Sequence, residues 1–210
     1  MIPVLGLLIS GPFAVGVHAS PSNAKPNILL ILADDLSWFD LGCYGSEDVR
    51  TPNIDQLARE GMTFTHAYTA TAMCSPTRQQ LYTGLFPARS GAMANHSSVK
   101  PGTRSMVHHL SELGYEVSLS GKEHFGPPES FPFERKEGLS IPSGPEPFCL
   151  VHASKKPHDG WPDARGYDPS ALTVPPYLVD NLETRRSLSR YFTEITELDE
   201  EVKTLLSDLQ

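Results

Sequence analysis

Apolar and polar positions follow two different periods along the chain, which predicts strands that alternate with helices. Residues 27–35 (NILLILADD) form a continuous apolar run that ends in two acids, as is typical of a strand buried on both faces of a parallel sheet. Shorter apolar or alternating stretches predict further strands at residues 62–68, 115–122 and 147–154.

Four segments between and after these strands predict helices. Two of them share a hydroxyl residue as N-cap, a proline just inside the helix and a glycine at its end. They are residues 51–61 (Thr51, Pro52, Gly61) and residues 75–84 (Ser75, Pro76, Gly84). A third helix is predicted over residues 105–114, and an apolar stripe from Leu188 to Leu206 predicts a long final helix.

This order of elements predicts an α/β domain with a mostly parallel sheet flanked by helices. Residues 127–147 and 157–176 are rich in proline and glycine, and we expect them to form long surface loops. No internal repeat and no low-complexity tract interrupts the pattern.

Residues 1–19 are mostly apolar and end in Val17-His18-Ala19, which is typical of a signal peptide with a small-residue cleavage site. A buried first strand is the alternative, but several glycines and Pro12 interrupt it. We therefore expect residues 1–19 to be removed and the chain to be exported to a periplasmic, extracellular or lysosome-equivalent compartment. No later stretch is long enough to span a bilayer.

Composition narrows the functional classes. The chain has 210 residues, of which 39% are hydrophobic and 20% charged, as in soluble globular domains. A formal net charge of −8 argues against general binding of nucleic-acid backbones. Three cysteines are an odd number for an exported chain, so at least one is unpaired or chemically special. We expect Cys43 and Cys149 to be small buried side chains, so Cys74 is the candidate for the chemically special cysteine.

Asp34 and Asp35 directly follow the first predicted strand, where open α/β sheets place their ligand sites. Adjacent carboxylates repel each other unless a cation lies between them, and hard oxygen ligands favour Ca²⁺ or Mg²⁺. In the alternative interpretation Asp35 caps the next turn and Asp34 is merely solvated.

Cys74 and Arg78 are four residues apart at the start of a predicted helix. That spacing puts both on one helix face, so the guanidinium can lie over the cysteine. Helix N-termini favour anions, and a thiol at such a position becomes an acidified nucleophile. The alternative is a buried cysteine beside a surface arginine.

Three more polar residues follow predicted strands, and two of them, Lys122 and His124, could bind an anion. Lys122 and His124 alternate in GKEHFG (residues 121–126), and His158 follows the strand at residues 147–154. Solvated strand-end residues are the alternative. Four other histidines are expected to be structural or surface residues: His66, His96, His108 and His109.

Taken together, these motifs resemble type I sulfatases. CSPTRQQLYTG (residues 74–84) contains the Cys-x-Pro-x-Arg pattern of that family, and PNILLILADDL, TPNIDQLAREG, GKEHFG and Pro157-His158 follow in the family's order. The segment GKEHFGPPESFPFE and the stretch from Tyr167 onward are similar to the heparan N-sulfatase (sulfamidase) branch. The resemblance extends from Pro26 to the final helix and implies an alkaline-phosphatase-like α/β fold.

For Cys74, the resemblance implies oxidation by a maturase to Cα-formylglycine, whose aldehyde is hydrated to a geminal diol. One diol oxygen attacks sulfur, the alcohol or amine leaves, and the second hydroxyl then expels sulfate. The family also implies that Asp34, Asp35 and the modified Cys74 bind Ca²⁺, with Mg²⁺ as the less favoured ion.

The resemblance assigns the other residues to the diol and the sulfate group. Arg78 would stabilise the diol, Lys122 and His158 would contact sulfate, and His124 would hydrogen-bond the diol. A sulfated carbohydrate is the implied substrate, and O-sulfate and N-sulfate groups both remain open.

Type I sulfatases complete the metal site with an Asp-Asn or Asp-His pair on a later strand and add a second lysine, and residues 20–210 contain neither. We therefore expect these residues to be the N-terminal portion of a catalytic domain with a partial metal site and doubtful activity alone. Two alternatives stay open: a phosphonate monoester or phosphodiester hydrolase of the same superfamily, and an inactive fragment that at most binds sulfated glycan.

Overall fold

The computed structural model describes residues 25–209, so the predicted signal peptide at residues 1–19 lies outside the described part. Four parallel strands form one sheet in the order β1-β4-β2-β3. Their bounds are Ile28–Leu32 (β1), Glu116–Gly121 (β2), Glu134–Lys136 (β3) and Phe148–Ala153 (β4). The predicted α/β class with a parallel sheet is confirmed.

Strand β4 lies in the middle of the sheet, where Cys149 pairs with Ile28 of β1 on one side and with Val117 of β2 on the other. All six of its residues are buried. Every residue of β1, by contrast, is half-buried. The prediction that β1 is fully buried on both faces is wrong, because β1 pairs with β4 alone among the described strands.

Five helices accompany the sheet: Pro52–Glu60 (α1), Cys74–Thr83 (α2), Pro87–Ser90 (α3), Met106–Glu112 (α4) and Leu182–Ser207 (α5). The predicted ends at Gly61, Gly84 and Gly114 agree with these bounds, and Gly84 has the left-handed backbone typical of a helix C-terminus. Two starts differ from the prediction. Helix α2 already begins at Cys74, with Met73 rather than Ser75 as its N-cap, and α5 begins at Leu182.

Two segments have a different structure from the one predicted. Residues 62–68 form no strand, and side chains such as Met62 and Tyr68 are 80% and 87% exposed. An apolar side chain that contacts no sheet gains nothing from the extended conformation, so local β propensity does not decide. The predicted loop at residues 127–147 contains the short edge strand β3, which joins the sheet beside β2.

Alternate residues of the strands face two separate layers of the core. Cys149 and Val151 belong to an apolar cluster with Tyr82 of α2 and Val107 of α4. Leu150 points the other way and packs with Leu205 of α5. The sheet is therefore covered by α2 and α4 on one face and by α5 on the other. Within residues 25–209, no helix has both the length and the apolar character needed to cross a bilayer.

Helix α1 is tied to α5 by a buried carboxylate. Asp199 of α5, 1% exposed, accepts hydrogen bonds from the backbone N–H groups of Asn53 (3.1 Å) and Ile54 (2.8 Å). Thr51 has the N-cap position, as predicted, but its hydroxyl instead donates to Asp55. The free N–H groups of α1 are thus satisfied across the interface.

All three cysteines are free. Cys149 is fully buried, as expected, and burial raises the pKa of its thiol to about 11. Cys43 is only half-buried.

Candidate active site

The carboxyl ends of the strands bring polar residues to one edge of the sheet. Asp34 follows β1, and its backbone N–H donates to the carbonyl of Lys156 at 2.9 Å. Lys122 follows β2, and its N–H donates to the carbonyl of Ala153 at 2.7 Å. Between them, Gly121 has a φ of +88°, and a Cβ atom there would lie 2.1 Å from the Ala153 carbonyl oxygen. Only glycine allows this approach, which places Lys122 beside Asp34.

Asp34 binds two cations that come from two other elements. Arg78 of α2 donates from Nη2 to Oδ1 at 3.1 Å, and Lys122 donates from Nζ to Oδ2 at 2.5 Å. The exposed fractions are 2% for Asp34, 5% for Arg78 and 20% for Lys122. Burial opposes ionisation of the Asp34 carboxyl, but the hydrogen bonds and charges of Lys122 and Arg78 outweigh it and lower its pKa. We call these three residues the ion cluster.

The ion cluster excludes two of the alternatives drawn from sequence. Asp34 is not merely solvated, and Arg78 is not a surface residue. The ion cluster keeps a net positive charge, because a single carboxylate faces two cations. An anion that reaches Lys122 from solvent therefore meets an electropositive group on a rigid support.

Cys74 is the first residue of α2 and lies on the wall of a cleft of about 460 Å³. The same cleft is lined by Asp34, Asp35 and Arg78. The Cys74 thiol donates to Oδ1 of Asn95 at 3.7 Å, while the Arg78 guanidinium is directed to Asp34. The i, i+4 spacing thus puts both residues at the cleft, with the arginine on the carboxylate rather than over the thiol.

Asp35, which lines the cleft, forms a second, exposed pair with His158. His158 Nε2 lies 3.7 Å from Asp35 Oδ2, and the two side chains are 42% and 62% exposed. Asp35 has a φ of +64°, a left-handed conformation that aspartate tolerates better than most residues. The turn directs neighbouring carboxylates apart: Asp34 is directed into the protein and Asp35 toward solvent.

His124 lies beyond Lys122, with a φ of +52°. Burial lowers the pKa of its imidazole, and the charges of Lys122, His96 and Arg78 lower it further. Its Nε2 is hydrogen-bonded to Nδ1 of His96 at 2.8 Å. At neutral pH the ring is therefore uncharged and able to accept or donate a proton.

The carboxylates of Asp34 and Asp35 have the chemistry of ligands for a hard cation, because Asp34 is held ionised and Asp35 is open to solvent. They do not make a complete site. Among residues 25–209, no three His, Cys, Asp or Glu side chains are grouped as metal ligands would be. Both oxygens of Asp34 already accept from Arg78 and Lys122, so the described residues supply only part of the oxygen ligands that such a cation needs.

The chain is similar in sequence to known proteins. The sulfatase family model matches residues 26–142, more than half of the chain, and this range includes the ion cluster, Cys74 and His124. The chain belongs to the sulfatase family. An ulvan-active sulfatase of Formosa agariphila is 34% identical over 218 residues, a match that covers 90% of this chain and 44% of that protein. The present sulfatase chain thus spans less than half the length of this relative.

Solved structures share the fold of this sulfatase chain. A putative sulfatase from Bacteroides fragilis matches with a TM-score of 0.72 at 23% identity, over 92% of this chain and 60% of that one. The phosphonate monoester hydrolase of Agrobacterium radiobacter matches with a TM-score of 0.67 at 17% identity, over 88% and 59%. The fold alone therefore does not separate sulfate from phosphonate chemistry.

Sequence reasoning missed three residues of this sulfatase site: Gln79, Asn95 and His96. Gln79 is fully buried, and its amide nitrogen donates to the carbonyl of Ser97 at 2.8 Å. Its place in QQLYTG, directly after the Cys-x-Pro-x-Arg pattern, was an available signal. No signal existed for Asn95 and His96, because a loop brings them to the site without any periodic spacing.

Proposed function

We propose that this sulfatase hydrolyses sulfate ester or N-sulfate groups on sulfated carbohydrate, with Cys74 converted to formylglycine and Ca²⁺ bound at Asp34 and Asp35. The ion cluster is the observation that carries the proposal, because its Asp34 and Arg78 line the same cleft as Cys74 and its Lys122 is bonded to Asp34. The Formosa relative, named as ulvan-active, supports a sulfated polysaccharide as the substrate class. The chain spans only part of that relative's length, so the activity that we propose is that of the whole protein.

Formylglycine supplies a hydrated aldehyde as the nucleophile, and Ca²⁺ supplies positive charge at the sulfate oxygens. Lys122 is the cation that solvent reaches, so we assign it to the sulfate group. Arg78 is nearly inaccessible and is fixed by Asp34, so it contributes a preorganised positive charge at the cleft. Together they lower the cost of negative charge that develops on the oxygens.

The two histidines have different roles in this proposal. His124 is neutral at pH 7 and lies next to Lys122, so it accepts or donates a proton during turnover. His158 is half-exposed beside Asp35, where it contacts the incoming sulfate group.

A second candidate function is phosphonate monoester or phosphodiester hydrolysis. The specific observation in its favour is the structural match to the phosphonate monoester hydrolase of Agrobacterium radiobacter. A group of two cations and one carboxylate binds either kind of anion, so only a comparison of substrates separates the two functions.

The proposal also names a partner and a compartment. A formylglycine-generating maturase must reach Cys74, which is half-buried on the cleft wall. The apolar run before Ala19 supports export of the chain.

The first test is mass spectrometry of the tryptic peptide that contains Cys74, after co-expression with a maturase. We expect the mass change of a thiol replaced by an aldehyde. Cys43→Ala is the matched control, since it removes another free cysteine and leaves the conversion unchanged, whereas Cys74→Ala abolishes it. An unmodified Cys74 thiol in every preparation would contradict the proposal.

The second test compares 4-nitrophenyl sulfate with bis(4-nitrophenyl) phosphate, followed by sulfate release from sulfated polysaccharides. We expect kcat/KM to favour the sulfate ester and to be lost in Cys74→Ala. A preference for the phosphodiester would instead support the second candidate.

A further inference from the structure

One loop contacts both Cys74 and His124. The loop connects α3 to α4, and Asn95 at its tip accepts the hydrogen bond from the Cys74 thiol. The next residue, His96, is hydrogen-bonded to His124, and the two ring centroids are 4.6 Å apart. Two neighbouring loop residues thus touch the proposed nucleophile and the proposed proton-transfer group.

The loop is held in place by buried backbone contacts. Val99 donates its N–H to the carbonyl of Gly126, just after His124, and to Oε1 of Gln79. A Cβ atom on Gly126 would lie 2.8 Å from Ser98 Oγ, which shows how closely the two segments approach. The contact between His96 and His124 is therefore built into the packing of the loop.

The two nitrogens of His124 have different surroundings. Nε2 is bonded to His96, whereas Nδ1 is buried and has no hydrogen-bond partner among the described residues. A neutral imidazole carries one donor and one acceptor, so the role of Nε2 in its hydrogen bond fixes the role of Nδ1. The donor or acceptor state of the nitrogen without a partner is thus controlled from the other side of the ring.

We propose that His96 is a positioning residue that fixes the ring orientation and the tautomer of His124 through the bond between Nδ1 of His96 and Nε2 of His124. As a statement about catalysis this rests on the proposed function, but as a statement about the state of His124 it does not. His96 itself touches no reacting atom, and its contribution is the orientation of a neighbour.

The charges around His124 agree with a neutral His124 ring. Lys122, Arg78 and Asp34 are the charged groups that act on His124 besides its partner His96. Two positive charges and one negative charge disfavour a further proton. A doubly protonated pair would also place two N–H donors against each other, which breaks the hydrogen bond.

The backbone of His96 guides the choice of variants. Its φ is +62°, a conformation that glycine and asparagine tolerate. His96→Gly removes the side chain without strain, and His96→Asn keeps an amide group near the position of Nδ1. His109 is exposed on α4, so His109→Asn is the matched control for loss of a surface histidine.

We expect His96→Gly to lower kcat at least about tenfold with little change in KM, because proton transfer by an oriented group contributes about 10²–10⁴-fold. We expect His96→Asn to restore kcat to within about threefold of the wild type, since the amide replaces the hydrogen bond. His109→Asn stays at the wild-type rate. Wild-type kinetics in His96→Gly, or equal losses in both His96 variants, would overturn the catalytic role.

The nitrogen chemical shifts of the His124 ring give a readout without turnover. We expect one neutral tautomer in the ¹⁵N spectrum of the wild type and a mixture of both tautomers in His96→Gly, with His96→Asn close to the wild type. A mixture already present in the wild type, or identical shifts in all variants, would refute the inference. If the spectra behave as expected while no preparation hydrolyses sulfate esters, then the proposed function fails and the positioning of His124 stands.

Discussion

At the scale of single residues, Asp34 shows how a buried charge is stabilised by its partners. Its carboxylate is almost inaccessible, and each oxygen has its own cation. Desolvation of an unpaired carboxylate costs several kcal/mol, so the two cations are needed for stability as well as for any chemistry. The sequence contains no direct sign of this arrangement, because the three residues lie far apart in the chain.

Replacement of Arg78 by methionine leaves Asp34 with one partner. We expect Arg78→Met to lower the free energy of unfolding by about 3 kcal/mol, the low end of the range for breaking a buried ion pair, because Lys122 remains. Urea unfolding measures the change. Arg104→Met is the control: its pair with Glu112 is exposed to solvent, so we expect a much smaller change than for Arg78→Met. Equal changes for both variants would contradict the importance of burial.

Asp40 is a residue whose charge costs stability. Burial raises the pKa of its carboxyl, a hydrogen bond from Tyr191 at 3.1 Å opposes this rise only in part, and the charge of Asp48 adds to it. A raised pKa in the folded state means that stability is present at low pH and is lost as the pH rises through that pKa. At pH 7 the ionised Asp40 carboxylate therefore lowers the stability of the folded protein.

We expect Asp40→Asn to raise the urea midpoint at pH 7, because the amide oxygen still accepts from Tyr191 without a buried charge. The difference should shrink as the pH falls below about 3.9, where Asp40 is protonated in both the folded and the unfolded state. Asp168→Asn is a control of opposite sign, since hydrogen bonds from Ser170 lower the pKa of Asp168. A midpoint that is unchanged or lower in Asp40→Asn at pH 7 would disprove the prediction.

At the scale of secondary-structure elements, α2 organises the site through Gln79. The amide nitrogen donates to Ser75 within the helix and to Ser97 in the following loop, and the amide oxygen accepts from Val99. One side chain thus fixes the loop that carries Asn95 and His96 relative to Cys74.

We expect Gln79→Leu to destabilise the protein by about 1–3 kcal/mol, because the Ser97 carbonyl loses its 2.8 Å hydrogen bond and the Val99 N–H keeps only the Gly126 carbonyl. The neighbouring Gln80→Leu is a matched control: Gln80 is half-buried and accepts one hydrogen bond, from Ala70 at 3.2 Å, so we expect a loss under about 1 kcal/mol. Thermal or urea unfolding of the two variants measures the two losses of stability. A smaller loss for position 79 than for position 80 would be incompatible with this role.

Elements with their own local signals could be predicted from the sequence, and those that depend on distant partners could not. Helix α1 has a proline at its start and α2 a glycine at its end, so local chemistry alone located them. Strand β3 has three residues and exists because β2 offers it an edge. His96 reaches His124 only through the packing of a loop, which no periodicity encodes.

At the scale of the whole molecule, the site could be located because parallel strands end at one edge of the sheet. At that edge the structure brings Asp34 and Lys122 together. The rule does not distinguish a buried carboxylate from an exposed one, since the fates of Asp34 and Asp35 depend on the left-handed conformation at Asp35. The roles of these residues in catalysis stay predictions.

The described surface carries an apolar segment near the cleft. Residues 61–73 contain no helix or strand, and the exposed fractions of Met62, Phe64 and Tyr68 are 80%, 64% and 87%. Contiguous apolar surface favours association. We expect the 210-residue chain to self-associate with rising concentration in sedimentation velocity, and the triple serine variant at these positions to remain monomeric.

A serine triple at Leu113, Leu182 and Leu209 is the control, because these exposed leucines are scattered over other parts of the described surface. We expect it to associate like the wild type. A wild-type chain that is monomeric at every concentration, or two triples that behave alike, would argue against the segment as the cause.

The close approach of Gly121 to Ala153 has a consequence for the interpretation of natural variants. Gly121 is solvent-exposed, so a score based on burial would treat a missense change there as harmless. Every such change adds at least a Cβ atom, which the Ala153 carbonyl leaves no room for. The strand end must then shift and take Lys122 away from Asp34. A missense change in this codon would therefore act like a change in the site itself, although no charged residue of the site is altered.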